Sequence, residues 1–107
     1  MKINFDEIEK QKLPNFKGGE GRMIARIFDD GCGRIMKNTL EPGCSIGMHA
    51  HENDAEVIYI LSGYGKVVSD NGEETLETGD CHYCAKGKSH SLINNGEEDM
   101  VFFATVF

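Results

Sequence analysis

The sequence feature that most constrains the fold is a succession of short apolar segments, separated by turn residues, that runs from Met23 to the end of the chain. Clusters such as Asp29-Asp30-Gly31 punctuate these segments at short intervals. Helical periodicity is almost absent: only residues 4–12 could form a helical turn or two, which Pro14 would end. Short strands at regular spacing are typical of antiparallel sandwiches and small barrels. We therefore expect an all-β fold of antiparallel strands.

The boundaries of the strands follow from the turn residues between them. Asn71-Gly72 and Asn95-Gly96 predict tight β-hairpins, because these pairs tolerate the positive φ that primed turns require. The eight predicted strands are 23–28, 34–40, 56–61, 65–69, 73–77, 81–85, 91–94 and 99–107.

Size and charge limit the classes of protein to consider. With 107 residues the chain has room for one domain, which we place at 1–107, and residues 1–22 form an N-terminal extension or an edge strand. The net charge of -7 argues against nucleic acids and anionic membranes as partners. The longest apolar run, 57–61, is too short to cross a bilayer, and the first residues lack a signal-peptide pattern. We expect a cytoplasmic protein.

Four cysteines, Cys32, Cys44, Cys81 and Cys84, are expected to be free thiols in that compartment. The Cys-x-x-Cys pattern of Cys81 and Cys84 invites a zinc or redox interpretation. However, residues three apart on a strand point to opposite faces and cannot share a metal, and no second close cysteine pair is present. We interpret both as small buried residues.

The segment Val57-Ile58-Tyr59-Ile60-Leu61 is apolar on both faces of the predicted strand. An antiparallel strand with one face in water would alternate between apolar and polar residues. A chain of this size has little material to cover a second apolar face. We therefore expect the outer face to pack on a second copy of the chain in a homodimer.

A cluster of potential metal ligands lies in the middle of the sequence. His49 and His51 project from the same face of an extended strand, and Glu56 follows after a small turn. His90, from a distant part of the chain, would complete the site. Three imidazoles and one carboxylate suit a divalent transition metal (Fe, Mn, Ni, Co, Cu or Zn) better than Mg²⁺ or Ca²⁺.

These residues carry a resemblance to the cupin superfamily. From Gly43 to Gly63 the chain matches Gly-x5-His-x-His-x4-Glu-x6-Gly at every fixed position. Residues 79–94 follow Gly-x5-Pro-x-Gly-x2-His-x3-Asn, except that Ala85 replaces the proline. The resemblance extends over residues 36–106 and indicates a small single-domain member. It implies a double-stranded β-helix (a jelly-roll-like barrel), metal ligation inside the barrel by His49, His51, Glu56 and His90, and a dimer.

Several other residues are candidates for chemistry near the metal. His82 and Tyr59 are candidate groups for proton transfer, although we expect His82 to be exposed or at the rim rather than next to the ligands. Among Arg26, Arg34 and Lys37, one could point inward to bind a carboxylate or phosphate, whereas solvated outer positions are the commoner outcome.

Two classes of function remain open. The first is an enzyme that acts on a small polar or anionic metabolite at the metal, as an oxygenase, decarboxylase, isomerase or lyase. The alternative is a non-catalytic module that binds or senses a small ligand or the metal itself. A metal-free epimerase-like cupin is disfavoured by the complete set of four ligand residues. The sequence does not choose among the reactions, because the same fold supports many of them.

Overall fold

Ten antiparallel strands make up most of the chain in the computed structural model, which describes residues 1–107. Two 3₁₀ turns, Phe5–Glu7 and Phe16–Gly18, flank the first strand. The strands are β1 (Gln11–Pro14), β2 (Arg22–Asp29), β3 (Arg34–Leu40), β4 (His49–Ala50), β5 (Glu56–Ser62), β6 (Tyr64–Ser69), β7 (Gly72–Glu77), β8 (Cys81–Cys84), β9 (Ser89–Ile93) and β10 (Met100–Val106).

The strands form two sheets that enclose the core. One sheet has six strands in the order β1-β2-β3-β10-β5-β8, and the other has four in the order β4-β9-β6-β7. The expected all-β, antiparallel double-stranded β-helix is confirmed. Alternation along β10 shows how the core is built: Met100, Phe102 and Ala104 are fully buried, and the residues between them are partly exposed.

Strand β5 carries both the core and the start of the site. Glu56 pairs with Cys84 of β8, and Ile58 and Ile60 are almost completely buried. Tyr59 and Leu61, on the opposite face, are each 42% exposed. The strand is therefore apolar on both faces, as its sequence indicates, and its outer face is open in the single chain.

Of the two predicted hairpins, one is confirmed and one is wrong. Strands β6 and β7 form a hairpin in which Ser69 pairs with Gly72, and Gly72 has a φ of +101°. At Asn95-Gly96 the chain instead crosses from one sheet to the other, because β9 and β10 belong to different sheets. The buried side chain of Asn94 shapes this crossing: it accepts from Gly96 N and donates to the carbonyl of Glu98.

The N-terminal residues depart from the expected helical turns. Only 5–7 are helical, and β1 follows as an edge strand paired with β2. Pro14 is tolerated as the last residue of this edge strand, where its missing N–H costs no ladder hydrogen bond. Helix is confined to the two three-residue turns, so no helix has the length and apolar surface needed to span a bilayer.

The structure places Cys81 and Cys84 on opposite faces of β8, as a strand requires. Cys84 is buried, and burial raises the pKa of its thiol. Cys81 is exposed, so the expectation that both are buried is wrong for this residue. All four cysteines are free thiols.

Candidate metal centre

Three separate parts of the chain meet at one point between the sheets. His49 on β4 pairs directly with His90 on β9, and His51 follows with its backbone N–H bonded to the carbonyl of Lys88. Glu56 enters from the other sheet as the first residue of β5. The four side chains bring one donor atom each to within 4.8 Å of one another. The structure therefore assembles all four residues that the sequence singles out.

The donor atoms are close together and buried. Glu56 Oε1 lies 3.1 Å from His51 Nε2 and 2.9 Å from His90 Nε2, and the two Nε2 atoms are 3.0 Å apart. His51, Glu56 and His90 are buried, and His49 is half-buried. A carboxylate in such a place is unfavourable unless positive charge or hydrogen-bond donors compensate it.

Each imidazole is oriented by a hydrogen bond at the nitrogen that points away from the cluster. His49 Nδ1 donates to the carbonyl of Gly47 at 2.8 Å, and His51 Nδ1 lies 2.7 Å from Asp54 Oδ1. A carbonyl and a carboxylate only accept, so each Nδ1 carries a proton, and in the neutral tautomer that binds a metal each Nε2 presents a lone pair. This arrangement is typical of metal-ligating histidines.

The chemistry of these four donor groups is suited to a transition-metal ion. Lone pairs of imidazole nitrogens and a carboxylate oxygen converge on one volume, which is repulsive unless a cation lies between them. Burial, the largest effect, lowers the pKa of His49, which keeps this ring in the neutral form that binds metals. The four residues could therefore hold one metal ion.

His82 lies closer to the cluster than we expect from the sequence. Its Nε2 is 3.0 Å from His90 Nδ1, its ring stacks on that of His90 with centroids 5.2 Å apart, and it is half-buried. The expectation of an exposed or rim position is therefore wrong. With a metal at His90 Nε2, the Nδ1 of His90 donates to His82. Burial lowers the pKa of His82, which favours the neutral, accepting form.

The structure does not bring Tyr59 to the cluster. Tyr59 alternates with Glu56 and Ile58 along β5 and lies on the outer, exposed face. Its neighbours across the strands are Cys81 and Phe103.

A cavity of about 330 Å³ opens beside the cluster. His49, His51 and Glu56 form part of its wall, and Asp54 and Asn38 are further polar residues there. Neither Asp54 nor Asn38 is among the residues that the sequence singles out. Asp54 could have been predicted from its position three residues after His51, whereas no sequence pattern indicates Asn38.

Of the three basic residues considered from the sequence, only Arg34 lines this cavity. Arg26 donates from Nη1 to the carbonyls of Phe5, Asp6 and Ile8, so it fastens the N-terminal turn to β2. Lys37 lies on the opposite face of β3 and lines a shallow pocket with residues 2–6. Arg34, which is paired with Asp29, and the exposed Lys17 line the cavity together with the carboxylates of Glu52 and Asp54.

Comparison with known protein families shows to which family this chain belongs. Residues 36–106 match the family model described as a cupin domain. The chain belongs to the cupin family. This cupin is 33% identical to the oxalate-binding protein of Thermotoga maritima over 113 aligned residues, which cover 99% of this chain and 93% of that protein.

Solved structures agree with the fold of this cupin. A crystal structure from Thermotoga maritima, described as a predicted oxalate decarboxylase, superposes with a TM-score of 0.94 at 29% identity over 100% of this chain and 98% of that one. A protein from Silicibacter pomeroyi, described as a sugar phosphate isomerase from a cupin superfamily, superposes with a TM-score of 0.80 at 21% identity over 99% of this chain and 74% of that one. The second likeness shows the fold alone.

Proposed function

We propose that this cupin binds one divalent transition-metal ion through His49, His51, Glu56 and His90, and holds a small carboxylate ligand at that ion. The observation that carries this proposal is the convergence of four buried or half-buried donor atoms within 4.8 Å of one another. The donor set suits Fe, Mn, Ni, Co, Cu or Zn. Mg²⁺ and Ca²⁺ prefer shells made of oxygen ligands alone.

The cavity supports a small anionic ligand. When bound, a metal ion with four protein ligands supplies Lewis acidity and free coordination positions. Arg34 and Lys17 line the cavity together with the carboxylates of Glu52 and Asp54, so the positive charge that would favour an anion over a cation is that of the metal ion. The 33% identical relative is named for binding oxalate, which supports a small carboxylate as the ligand here.

Binding without turnover is the function that the geometry supports best. The two groups considered for proton transfer do not line the cavity: His82 contacts His90 from a separate pocket, and Tyr59 faces outward. Turnover of the carboxylate is the second candidate. It is favoured by Glu52 and Asp54, whose carboxylates line the cavity and could move a proton.

The test is calorimetric titration of oxalate into protein of known metal content, followed by the same titration after chelation. We expect binding that requires the metal. The exposed Glu97, far from the site in the turn before β10, offers a matched control: Glu56→Gln should abolish binding and Glu97→Gln should not. Oxalate binding by the chelated protein would contradict the proposal. Release of CO₂ or uptake of O₂ in the same samples would favour the enzyme.

We also propose that the chain forms a homodimer through the outer face of β5 and β8. Val57, Tyr59 and Tyr83 lie on this face, and the two tyrosines are 42% and 60% exposed. The neighbouring Phe103 is partly covered by Phe5, whose ring is 6.2 Å away, so the uncovered apolar area is the part on β5 and β8. An apolar area of this kind on a sheet is typical of an interface.

Sedimentation velocity at micromolar concentration tests the dimer. We expect a dimer for the unchanged chain and a monomer for Tyr59→Lys, because a charge in the centre of an apolar interface is costly to bury. Lys66→Gln, on the other sheet, is the control that should remain dimeric. A monomeric unchanged chain would refute the dimer and leave the metal site untouched.

A cytoplasmic location is part of the same proposal. The four free thiols support it, since cysteines persist unpaired in a reducing compartment. Fractionation of the native host with an antibody against the chain is the direct measurement, and recovery outside the cytoplasm would contradict it.

A further inference from the structure

Asn38 is a buried amide whose oxygen has no hydrogen-bond partner. The residue is 2% exposed, and Asn38 Oδ1 is the one buried side-chain polar atom of the chain that lacks a partner. The amide nitrogen has only a weak contact, with Met36 Sδ at 3.8 Å. Since buried polar groups in proteins are nearly always satisfied, an unsatisfied amide needs an explanation.

Asn94 is a buried asparagine with a structural role, and its hydrogen-bonding groups are satisfied within the chain. It is also fully buried, and its amide donates to the carbonyls of Leu40 and Glu98 while its oxygen accepts from Gly96 N. Asn38 makes none of the equivalent bonds. Its amide is thus available to something that the protein alone does not supply.

The position of Asn38 identifies where that partner would lie. Asn38 lines the same cavity as His49, His51 and Glu56, and it is the only buried polar residue of the cavity wall outside the metal cluster. The buried wall around it is apolar, made of Met23, Met36 and Ile46. Apart from the cluster itself, this amide is the one buried hydrogen-bonding group of the wall that could orient a ligand.

Arg34 lies on the same face of β3 as Asn38, nearer the mouth of the cavity. Arg34 and Asn38 lie four positions apart on one strand, with Met36 between them on that face. Arg34 is exposed and is held by Asp29, whose Oδ2 lies 3.2 Å from Arg34 Nε. One face of β3 therefore presents a positive charge at the mouth and a neutral amide inside.

We propose that Asn38 is the specificity-determining residue of the cavity: its amide hydrogen-bonds the oxygen function that a metal-held carboxylate carries beyond its first carboxyl group. The inference rests on the proposed function and narrows the class of ligand. The cavity then selects small carboxylates with a second oxygen function, such as a second carboxyl, an oxo or a hydroxyl group, over simple monocarboxylates. A ligand that lacks this function leaves the buried amide unpaired, which costs affinity.

The test compares oxalate and acetate as probes in calorimetric titrations of protein whose metal content has been measured. Asn38→Leu removes the amide and keeps a similar volume. We expect it to weaken oxalate about tenfold, the effect of one hydrogen bond, and to leave acetate unchanged. Metal content should not change. The melting temperature without ligand should rise by about 4 °C, because an unpaired buried polar group has been removed.

Two further variants test whether the effect comes from the amide of Asn38 itself. Asn38→Asp keeps the shape of the side chain and adds a negative charge, so it should weaken the doubly charged oxalate more than acetate. Thr39→Val, on the outer face of the same strand, is the matched control and should change neither affinity.

The outcomes separate this inference from the function on which it rests. If Asn38→Leu keeps full metal content and the preference of the unchanged chain for oxalate over acetate, the role of Asn38 is refuted and the proposed function stands. If Asn38→Leu melts at a lower temperature or loses the metal, Asn38 is a structural residue and the inference fails. An unchanged chain that takes up no metal refutes both.

Discussion

At the scale of single residues, the three histidines of the cluster are held by three different acceptors. His49 is held by a backbone carbonyl, His51 by the carboxylate of Asp54, and His90 faces the ring of His82. The bond to Asp54 is the shortest of the three at 2.7 Å, and a carboxylate acceptor also makes the ring it holds a better electron-pair donor. Asp54 therefore matters to the site although its side chain is 43% exposed.

Removal of this carboxylate should weaken the metal site without unfolding the chain. Asp54→Ala leaves His51 Nδ1 without its acceptor, and we expect the affinity for Zn²⁺ or Mn²⁺ to fall about tenfold to a hundredfold. Asp54→Asn keeps a carbonyl oxygen at the same place and should restore most of the affinity. Competition with a chromogenic chelator measures both. Equal affinities for the unchanged chain and Asp54→Ala would show that Asp54 does not support His51.

The residues of the cluster could be predicted from the sequence, whereas their supporting contacts could not. Strand geometry alone predicts that His49 and His51 share a face, whereas the approach of Glu56 and His90 is what the resemblance to cupins implies. The contact of His82 with His90 joins strands of different sheets, so its distance depends on how the sheets pack. The missing partner of Asn38 appears only when every neighbour of the amide is known.

At the scale of elements, the N-terminal turn at 16–18 packs tightly on the segment that leads to β4. Phe16 O accepts from Gly47 N, and Ser45 Oγ accepts from Glu20 N. A Cβ on Gly47 would overlap the carbonyl group of Lys17, so this approach requires glycine. The carbonyl of Gly47 in turn orients His49. Gly47 therefore has two roles: it allows the N-terminal turn to pack closely, and its carbonyl orients His49.

Gly47→Ala should therefore reduce both stability and metal affinity. Overlap with backbone atoms forces the turn away and should cost about 1–3 kcal/mol in the free energy of unfolding. Gly43→Ala is the matched control: its φ of +81° makes alanine unfavourable, but a Cβ there meets nothing within 4 Å. It should lower stability by about 1–2 kcal/mol and leave metal affinity unchanged. Denaturant titration and chelator competition report the two effects, and an unchanged metal affinity in Gly47→Ala would contradict the coupling.

Strand prediction succeeds where alternation is long and fails where the element is short. The seven residues of β10 alternate clearly between buried and partly exposed positions, and the sequence predicts this strand. Strand β4 has only two residues and β1 has four, so neither offers a period to detect. Asn95-Gly96 has the composition of a hairpin turn, but the strands on either side pair with other partners, and long-range pairing overrides the local signal.

At the scale of the whole molecule, the cluster joins the two sheets. His49 and His90 belong to the four-stranded sheet and Glu56 to the six-stranded one. A metal ion held by all of them would bind the folded chain and not the unfolded one, and would stabilise the fold in proportion to its occupancy.

Removal of the metal should lower the melting temperature. At a metal concentration a hundred times the dissociation constant, the stabilisation is about 2.7 kcal/mol. For a chain of this length that corresponds to a shift of about 10 °C on addition of EDTA. Scanning calorimetry should show recovery with Mn²⁺ or Zn²⁺ and little recovery with Mg²⁺. Identical melting curves with and without chelator would contradict the stabilising role.

The most direct test of the central claim is elemental analysis of the protein purified without oxygen and without added chelator. The account predicts about one transition-metal ion per chain, and a strong loss of that metal in His90→Ala with the fold retained by circular dichroism. Metal content that is the same in His90→Ala and in the unchanged chain would contradict it.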